Sequence, residues 1–244
     1  MEHDARVDAV ERELDALVAA VGAGPLAARV PTCPDFAVDD LAKHVGEFCG
    51  FWAHVLCEGT RRPKTPFPEV GPEGRAGWLA ALAGHLVSEL QATPPETPVW
   101  TWYEPDRSAA FVARRCSNEV AVHRVDAQVA RGAADPVEAE LAADGIDEIS
   151  VFLEADGPDG QRGTPGSGQT LHVHGTDHQP AEWLITLDPG GVRITREHAK
   201  GDLAIKGAVS DLEMLLYQRP TVGPVERFGD PAVLEAFYRA FTFD

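Results

Sequence analysis

Apolar residues recur three and four positions apart from the start of the chain. Val7, Val10, Leu14, Leu17 and Val21 share one face of a helix predicted over 4–22, which Gly22 and Gly24 end. The connector VPTCPDFAVDD follows, with two prolines. A second stripe, Leu41, His44, Phe48, Trp52 and Val55, predicts a helix to about Cys57, with Asp39 and Asp40 at the positive end of its dipole. His44 is in line with the apolar residues and is expected to point inward. A third helix is predicted from about Arg75 to Ala92, carrying Trp78, Leu79, Leu82, Leu86 and Leu90. The stretch Val99 to Tyr103 is short, aromatic and irregular. Asp106 or Ser108 can cap a fourth helix, running to about Arg131, with Val112, Cys116, Glu119, His123 and Asp126 in one stripe. Four such helices predict a bundle, whose interior is a common place for metal ligands.

The periodicity changes after GAADP. Asp135 and Pro136 resemble a helix start, and that helix is expected to end near Glu154. The breaker-rich segments 59–74 and 155–169 read as loops. TLHVH, EWLITL, VRIT and DLAIKG then alternate as strands do. Residues 208–218 read as helix stopped by Pro220, and Asp230 with Pro231 opens a last helix carrying Val233, Leu234, Phe237 and Phe241. The expected architecture is therefore α+β: a helical domain over 1–135 and an α+β domain over 136–244.

Composition narrows the function classes. A formal charge of -18 argues against a general nucleic-acid binder and leaves no polybasic membrane patch. No run approaches the roughly 20 apolar residues of a membrane span. The charged N-terminus lacks the apolar core of a signal peptide, and the four cysteines form no CxxC pair. A cytoplasmic protein with reduced thiols is expected, as monomer or homodimer.

The chemistry concentrates in SNEVAVHRVDAQVA, residues 117–130. Glu119 and His123 lie four residues apart, so both leave one helix face a turn apart and can close on one cation. His44 is the best candidate for a third ligand. A carboxylate on a buried stripe is costly unless it is paired or metal-bound. Two neutral histidines and one glutamate leave a zinc site with charge near +1 and an open position, which an incoming thiolate would neutralise. Spacing alone also allows Glu119 to pair with Arg115 or Arg124, His44 to be a satisfied core histidine, and Asp126 either to stand behind a ligand or to pair with an arginine.

VPTCPDFAVDDLAKHVGEF followed by SNEVAVHRVDAQVA resembles the mycothiol-dependent maleylpyruvate isomerase family, within the wider DinB-like metalloenzymes. LHVHGTDHQPAEWLITL and GDLAIKGAVSDLEMLLYQRP resemble that family's second domain, which is similar to sterol carrier protein folds. The resemblance implies a metal triad at His44, Glu119 and His123, zinc or another divalent ion, and mycothiol bound between the domains with sulfur near the metal. It implies a role for Arg219, near the end of the second-domain helix; Arg219 can equally be a charge at a helix C-terminus. The sequence departs from the family pattern at Asp35-Phe36-Ala37, where Gly, Trp and a capping Thr or Ser are common. It departs again at Val125, where Trp is frequent, and at Tyr217-Gln218, where Trp-Gly is common.

Other residues also carry candidate chemistry. Cys33, between prolines, and Cys116, one turn before Glu119, are candidate nucleophiles, although small buried thiols are common. His172 and His174 share a strand face and, with His178, can suggest a metal cluster; no carboxylate but Asp177 is in the same run, so exposed strand-end histidines are expected. Asp177 and Trp183 are expected to serve packing. The Gly-rich segment 157–169 lacks a P-loop lysine, which argues against a phosphate cradle. Two functions remain: a mycothiol-dependent S-transferase or cis-trans isomerase acting on a small electrophile, or a non-catalytic small-molecule or lipid-binding protein with a structural metal or none.

Overall fold

The computed structural model describes residues 1–61, 70, 74–160 and 166–241. Most of the predicted 59–74 loop, and 161–165 of the second loop, lie outside the described residues. The chain divides into two compact units, Met1–Asp135 and Pro136–Asp244, and its class is α+β.

The first unit is four helices: α1 (His3–Gly22), α2 (Val38–Glu58), α3 (Gly74–Ala92) and α4 (Ala109–Val129). Helix α1 packs on α4 and α3, and α2 packs on α3 and α4, which closes a four-membered bundle. The apolar stripes supply the core, with Leu14, Leu17, Leu41, Leu79, Leu86 and Leu90 almost fully buried. The starts of α2 and α4 are made by short polar side chains. Asp40 accepts the Ala37 N–H at 2.9 Å, and Ser108 accepts the Phe111 N–H at 3.2 Å while donating to Asp106 at 2.6 Å. Both residues considered for the fourth cap thus take part in it.

One buried ion pair joins α1 to α4. Arg124 donates from Nε to Glu13 at 2.7 Å, and from Nη1 to Gln128 at 2.8 Å and to the Asp135 carbonyl. Both partners are almost fully buried. Removing one partner from such a pair costs on the order of 3–5 kcal/mol, because the other is left charged and unanswered.

The second unit carries α5 (Ala139–Gly160), β1 (Gln169–Gly175), β2 (Glu182–Asp188), β3 (Gly191–Thr195), β4 (Leu203–Gly207), α6 (Val209–Leu216), β5 (Glu226–Gly229) and α7 (Ala232–Ala240). Helix α5 continues past Glu154 to Gly160, beyond its expected end, and β5 is an addition to the predicted strands. The sheet order is β3-β2-β1-β4-β5; β1 and β4 run parallel and the other neighbours antiparallel. Leu171, Val173, Trp183, Ile185 and Leu187 point to one buried face. Trp183 donates its indole N–H to Asp147 of α5 at 2.9 Å, and Asp177 accepts the Val209 N–H at 2.8 Å at the start of α6. Among the described residues, no helix is long and apolar enough to cross a membrane.

Helices α2 and α3 approach closely at Gly46. A Cβ there would lie 2.1 Å from the Trp78 ring. The ring is held in turn by Arg75, whose guanidinium lies 5.0 Å from its centroid and donates to Asp39 at 2.8 Å. Gly46→Ala is therefore expected to overpack the seam and lower stability by about 1–3 kcal/mol in urea unfolding. Gly84→Ala, on an exposed turn of α3 with nothing within 4 Å of the new methyl, should raise stability by about 0.5–1 kcal/mol. A Gly46→Ala midpoint at or above wild type would show that Trp78 yields without cost.

Candidate metal centre

Helix α4 presents Glu119 and His123 on one face, and α2 brings His44 to them. Glu119 Oε1 lies 3.4 Å from His44 Nε2 and 3.2 Å from His123 Nε2. One ligand atom from each of the three residues falls within 4.8 Å of the others. Bonds of about 2.0–2.1 Å in tetrahedral geometry require donor separations of roughly 3.3 Å, so the spacing suits one zinc-sized cation.

The groups behind these donors fix which atoms face inward. Asp126, with its side chain fully buried, lies 3.0 Å from His123 Nδ1. A carboxylate there accepts the Nδ1 proton, leaving the Nε2 lone pair directed at Glu119 and His44. Arg115 contacts Glu119 Oε2, so Oε1 is the oxygen that faces the two histidines. The Arg115 guanidinium also lies 5.9 Å from the Phe48 ring centroid, which anchors it from below. Of the two partners weighed for Glu119, the structure pairs it with Arg115, and Arg124 goes to Glu13. Asp126 stands behind His123.

His44 is less enclosed than its place in the stripe predicts, with 43% of its side chain exposed. The neighbouring Leu41 and Val45 take the core, and His44 sits at the rim against Phe36, with ring centroids 6.1 Å apart. Burial, with the neighbouring His123, pulls its pKa down to about 4. It is therefore neutral at pH 7 and offers a lone pair. The donor set is two neutral imidazoles and one carboxylate, of the kind zinc takes when one position is left for water or substrate.

The connector before α2 closes one side of the cluster. Phe36 N–H donates to the Cys33 carbonyl at 2.8 Å and Val30 N–H to the Phe36 carbonyl at 3.0 Å, forming a tight turn. The turn sets Cys33 Sγ 3.7 Å from Asp126 Oδ2. Cys33 is thus a donor to the carboxylate behind His123, a contact across 93 positions that local spacing gives no sign of. Cys116 is fully buried inside the bundle.

Residues 7–128, half of the chain, match the family model described as the mycothiol maleylpyruvate isomerase N-terminal domain. The chain belongs to this family. The match includes all three donors and the groups behind them. Among solved structures, a crystal structure of the mycothiol-dependent maleylpyruvate isomerase matches over 93% of both chains, with a TM-score of 0.56 and 16% identity. A histidine-to-alanine mutant of a protein of that name matches over 88% of both chains, with a TM-score of 0.52 and 15% identity. At these identities the likeness establishes the shared α+β fold. No curated protein is matched in sequence.

In the second unit, Arg219 sits just past α6. Its N–H donates to the Met214 carbonyl at 2.7 Å and the Gln218 N–H to that of Leu215 at 3.0 Å, the paired bonds of a Schellman turn. Gln218 takes the left-handed position with φ 60°. Arg219 Nη1 donates to the Tyr217 carbonyl at 2.8 Å. His172, expected to be exposed, is instead buried, and its partner carboxylate is Glu182 on the next strand rather than Asp177.

The thiols give a direct check on the candidate nucleophiles. Cys116 and Cys49 are buried, Cys57 is exposed, and burial pushes the Cys49 thiol up to about 12. A small thiol reagent added to the folded protein is expected to label Cys57 fast and leave Cys49 and Cys116 untouched until unfolding. Labelling of Cys116 at a rate near that of Cys57, read by peptide mass spectrometry, would restore it as a nucleophile.

Proposed function

We propose that this family member binds a divalent metal, zinc by preference, through His44, Glu119 and His123, and uses it in mycothiol-dependent chemistry on a small electrophile. The observation that carries this reading is the triangle of donors around Glu119 Oε1, at 3.4 and 3.2 Å, with the far ends of Glu119 and His123 held by Arg115 and Asp126. Family membership and the names of the two matched structures support the thiol and the isomerase class.

A divalent ion there supplies Lewis acidity that favours the thiolate form of an incoming thiol near neutral pH. The chain's own residues prepare that position. Asp126 holds His123 in the tautomer that points Nε2 inward. Arg115 keeps Glu119 from turning both oxygens inward, so a position is left open. Phe36 flanks His44 and limits water on that side. A role for Arg219 rests on the family resemblance; its guanidinium is of the kind that matches a carboxylate with two parallel hydrogen bonds. Addition of the thiolate to the activated double bond sends its electron pair to the conjugated carbonyl as an enolate and makes the bond between the carboxyl-bearing and the acyl-bearing carbon single. Rotation and elimination of the thiolate then give the trans isomer and return the thiol. If elimination does not follow, the product keeps sulfur and the reaction is a transfer.

Incubation with mycothiol and maleylpyruvate separates these outcomes. Trans product with thiol recovered unchanged is expected; a stable thioether would reassign the chain as an S-transferase. His44→Ala is expected to lower turnover more than ~100-fold, beyond the 10–100-fold typical of losing a group behind a ligand. Turnover of neither kind in the zinc-loaded wild type, or a fully active His44→Ala, would overturn the reading in favour of a non-catalytic binding protein.

Asp126→Asn gives a separate measurement. The amide keeps the shape but loses the charge that fixes His123, so zinc affinity of this donor set should fall about 10–100-fold in chelator competition. Unchanged affinity would mean that Asp126 serves packing alone.

A further inference from the structure

The open face of the sheet carries a second convergence of donors, in the other unit. His172 and His174 leave β1 on the same face, and Glu182 is paired with His174 across β1 and β2. Glu182 Oε2 lies 2.6 Å from His172 Nε2, and its Oε1 lies 2.5 Å from His174 Nδ1. His198 Nδ1 reaches the same Oε1 at 3.1 Å. One ligand atom from each of these four residues lies within 4.8 Å of the others.

The topology explains how His198 arrives. Strand β3 is the sheet's edge, and β4 lies beyond β2 and β1. The link 196–202 must therefore cross two strands, a distance of about three interstrand spacings or ~14 Å. It is tied down at both ends. Arg196 donates to Asp147 at 2.8 and 2.6 Å and lies 4.3 Å from the Trp183 ring centroid. At the far end, Asp202 accepts from the Thr170 N–H at 2.8 Å and its hydroxyl at 2.9 Å. Gly201 passes so close to β1 that a Cβ would lie 2.7 Å from the His172 nitrogen. His198 sits between these anchors, directly over the histidine pair.

Three imidazoles around one carboxylate can be held by hydrogen bonds while they are neutral, each donating one N–H to a carboxylate that has room for three. If all three are protonated, three positive charges crowd one negative charge, with ring centroids only 5.0, 6.1 and 6.4 Å apart. A divalent cation suits the same cluster by taking three lone pairs and the carboxylate together. The close contacts to Glu182 need open by less than about 1 Å to reach tetrahedral donor spacing.

We infer that His172, His174, Glu182 and His198 form a second, structural zinc site that fastens the 196–202 strap across the sheet. Four protein ligands fill the tetrahedron and leave no position for substrate, so the site is closed and its effect is on the strap. The other donor set lies in a different unit of the chain, and this proposal does not depend on it.

The experiment uses the full chain with the first donor set removed, His44→Ala/His123→Ala, stripped with chelator and titrated with zinc. One equivalent is expected to bind. Hydrogen exchange at the amides of 197–201 should slow on zinc addition. Adding Glu182→Gln or His198→Ala should weaken binding more than ~10-fold and abolish that protection. His198 is 75% exposed in its side chain, so its replacement leaves the fold intact. Should the double variant fail to fold, the comparison becomes wild type against His198→Ala, with bound zinc falling by one equivalent. No zinc bound by a folded His44→Ala/His123→Ala chain, or binding indifferent to His198→Ala and Glu182→Gln, would overturn the inference.

Discussion

Helix α4 carries charge where charge is most expensive to carry. Glu119, Arg124 and Asp126 lie within eight positions on a helix enclosed by its bundle, and each must be answered by a partner or left at a cost of several kcal/mol. The answers decide the geometry of the first unit. Arg124 reaches out to Glu13 and ties α1 to α4. Glu119 is answered by Arg115 one turn back, and Asp126 by His123 one turn back. Each answer consumes one end of a bifunctional group and aims the other. Glu119 is left with Oε1 and His123 with Nε2, and both point to the space that His44 enters from α2. The donor triangle is thus a by-product of satisfying buried charge.

The helices of this unit were legible because each must bury one stripe, and a three-four repeat writes that stripe into the sequence. The pairing of Glu119 with His123 was legible for the same reason. His44 was legible as a polar residue on an apolar stripe, but its depth was not. A stripe has edges, and at the edge the ring keeps water on one side while Leu41 and Val45 fill the core. Cys33 beside Asp126 had no local signature, because the contact joins a turn to a helix 93 positions away. The strand β5 was missed because its four residues are all exposed, so no apolar alternation marks it; backbone pairing with β4 alone makes it a strand.

The second histidine cluster shows a different limit. Its first two members are two apart in a strand, which sequence shows directly. The same run offers only Asp177 as a carboxylate to complete the cluster. A sheet draws its neighbours from other strands, so the carboxylate came from Glu182, opposite His174, while Asp177 was taken up by the Val209 N–H. His198 lies in a link with no periodicity at all, and only the strand order makes it cross the face that holds the others.

The two donor sets differ in one respect that bears on what each can do. Around Glu119, the carboxylate and His123 are each backed by a separate protein group, so two of the three donors meet with their outer ends engaged. Around Glu182, three imidazoles converge on a single carboxylate, and one of the three, His198, comes from the strap itself. As proposed, an ion in the first set would have three protein ligands and one position left for a thiol, and an ion in the second would have four protein ligands and none. Reactivity therefore follows from where the chain places its supporting charges. Arg115 and Asp126 hold the outer atoms of Glu119 and His123, whereas Glu182 spends both of its oxygens on the imidazoles themselves.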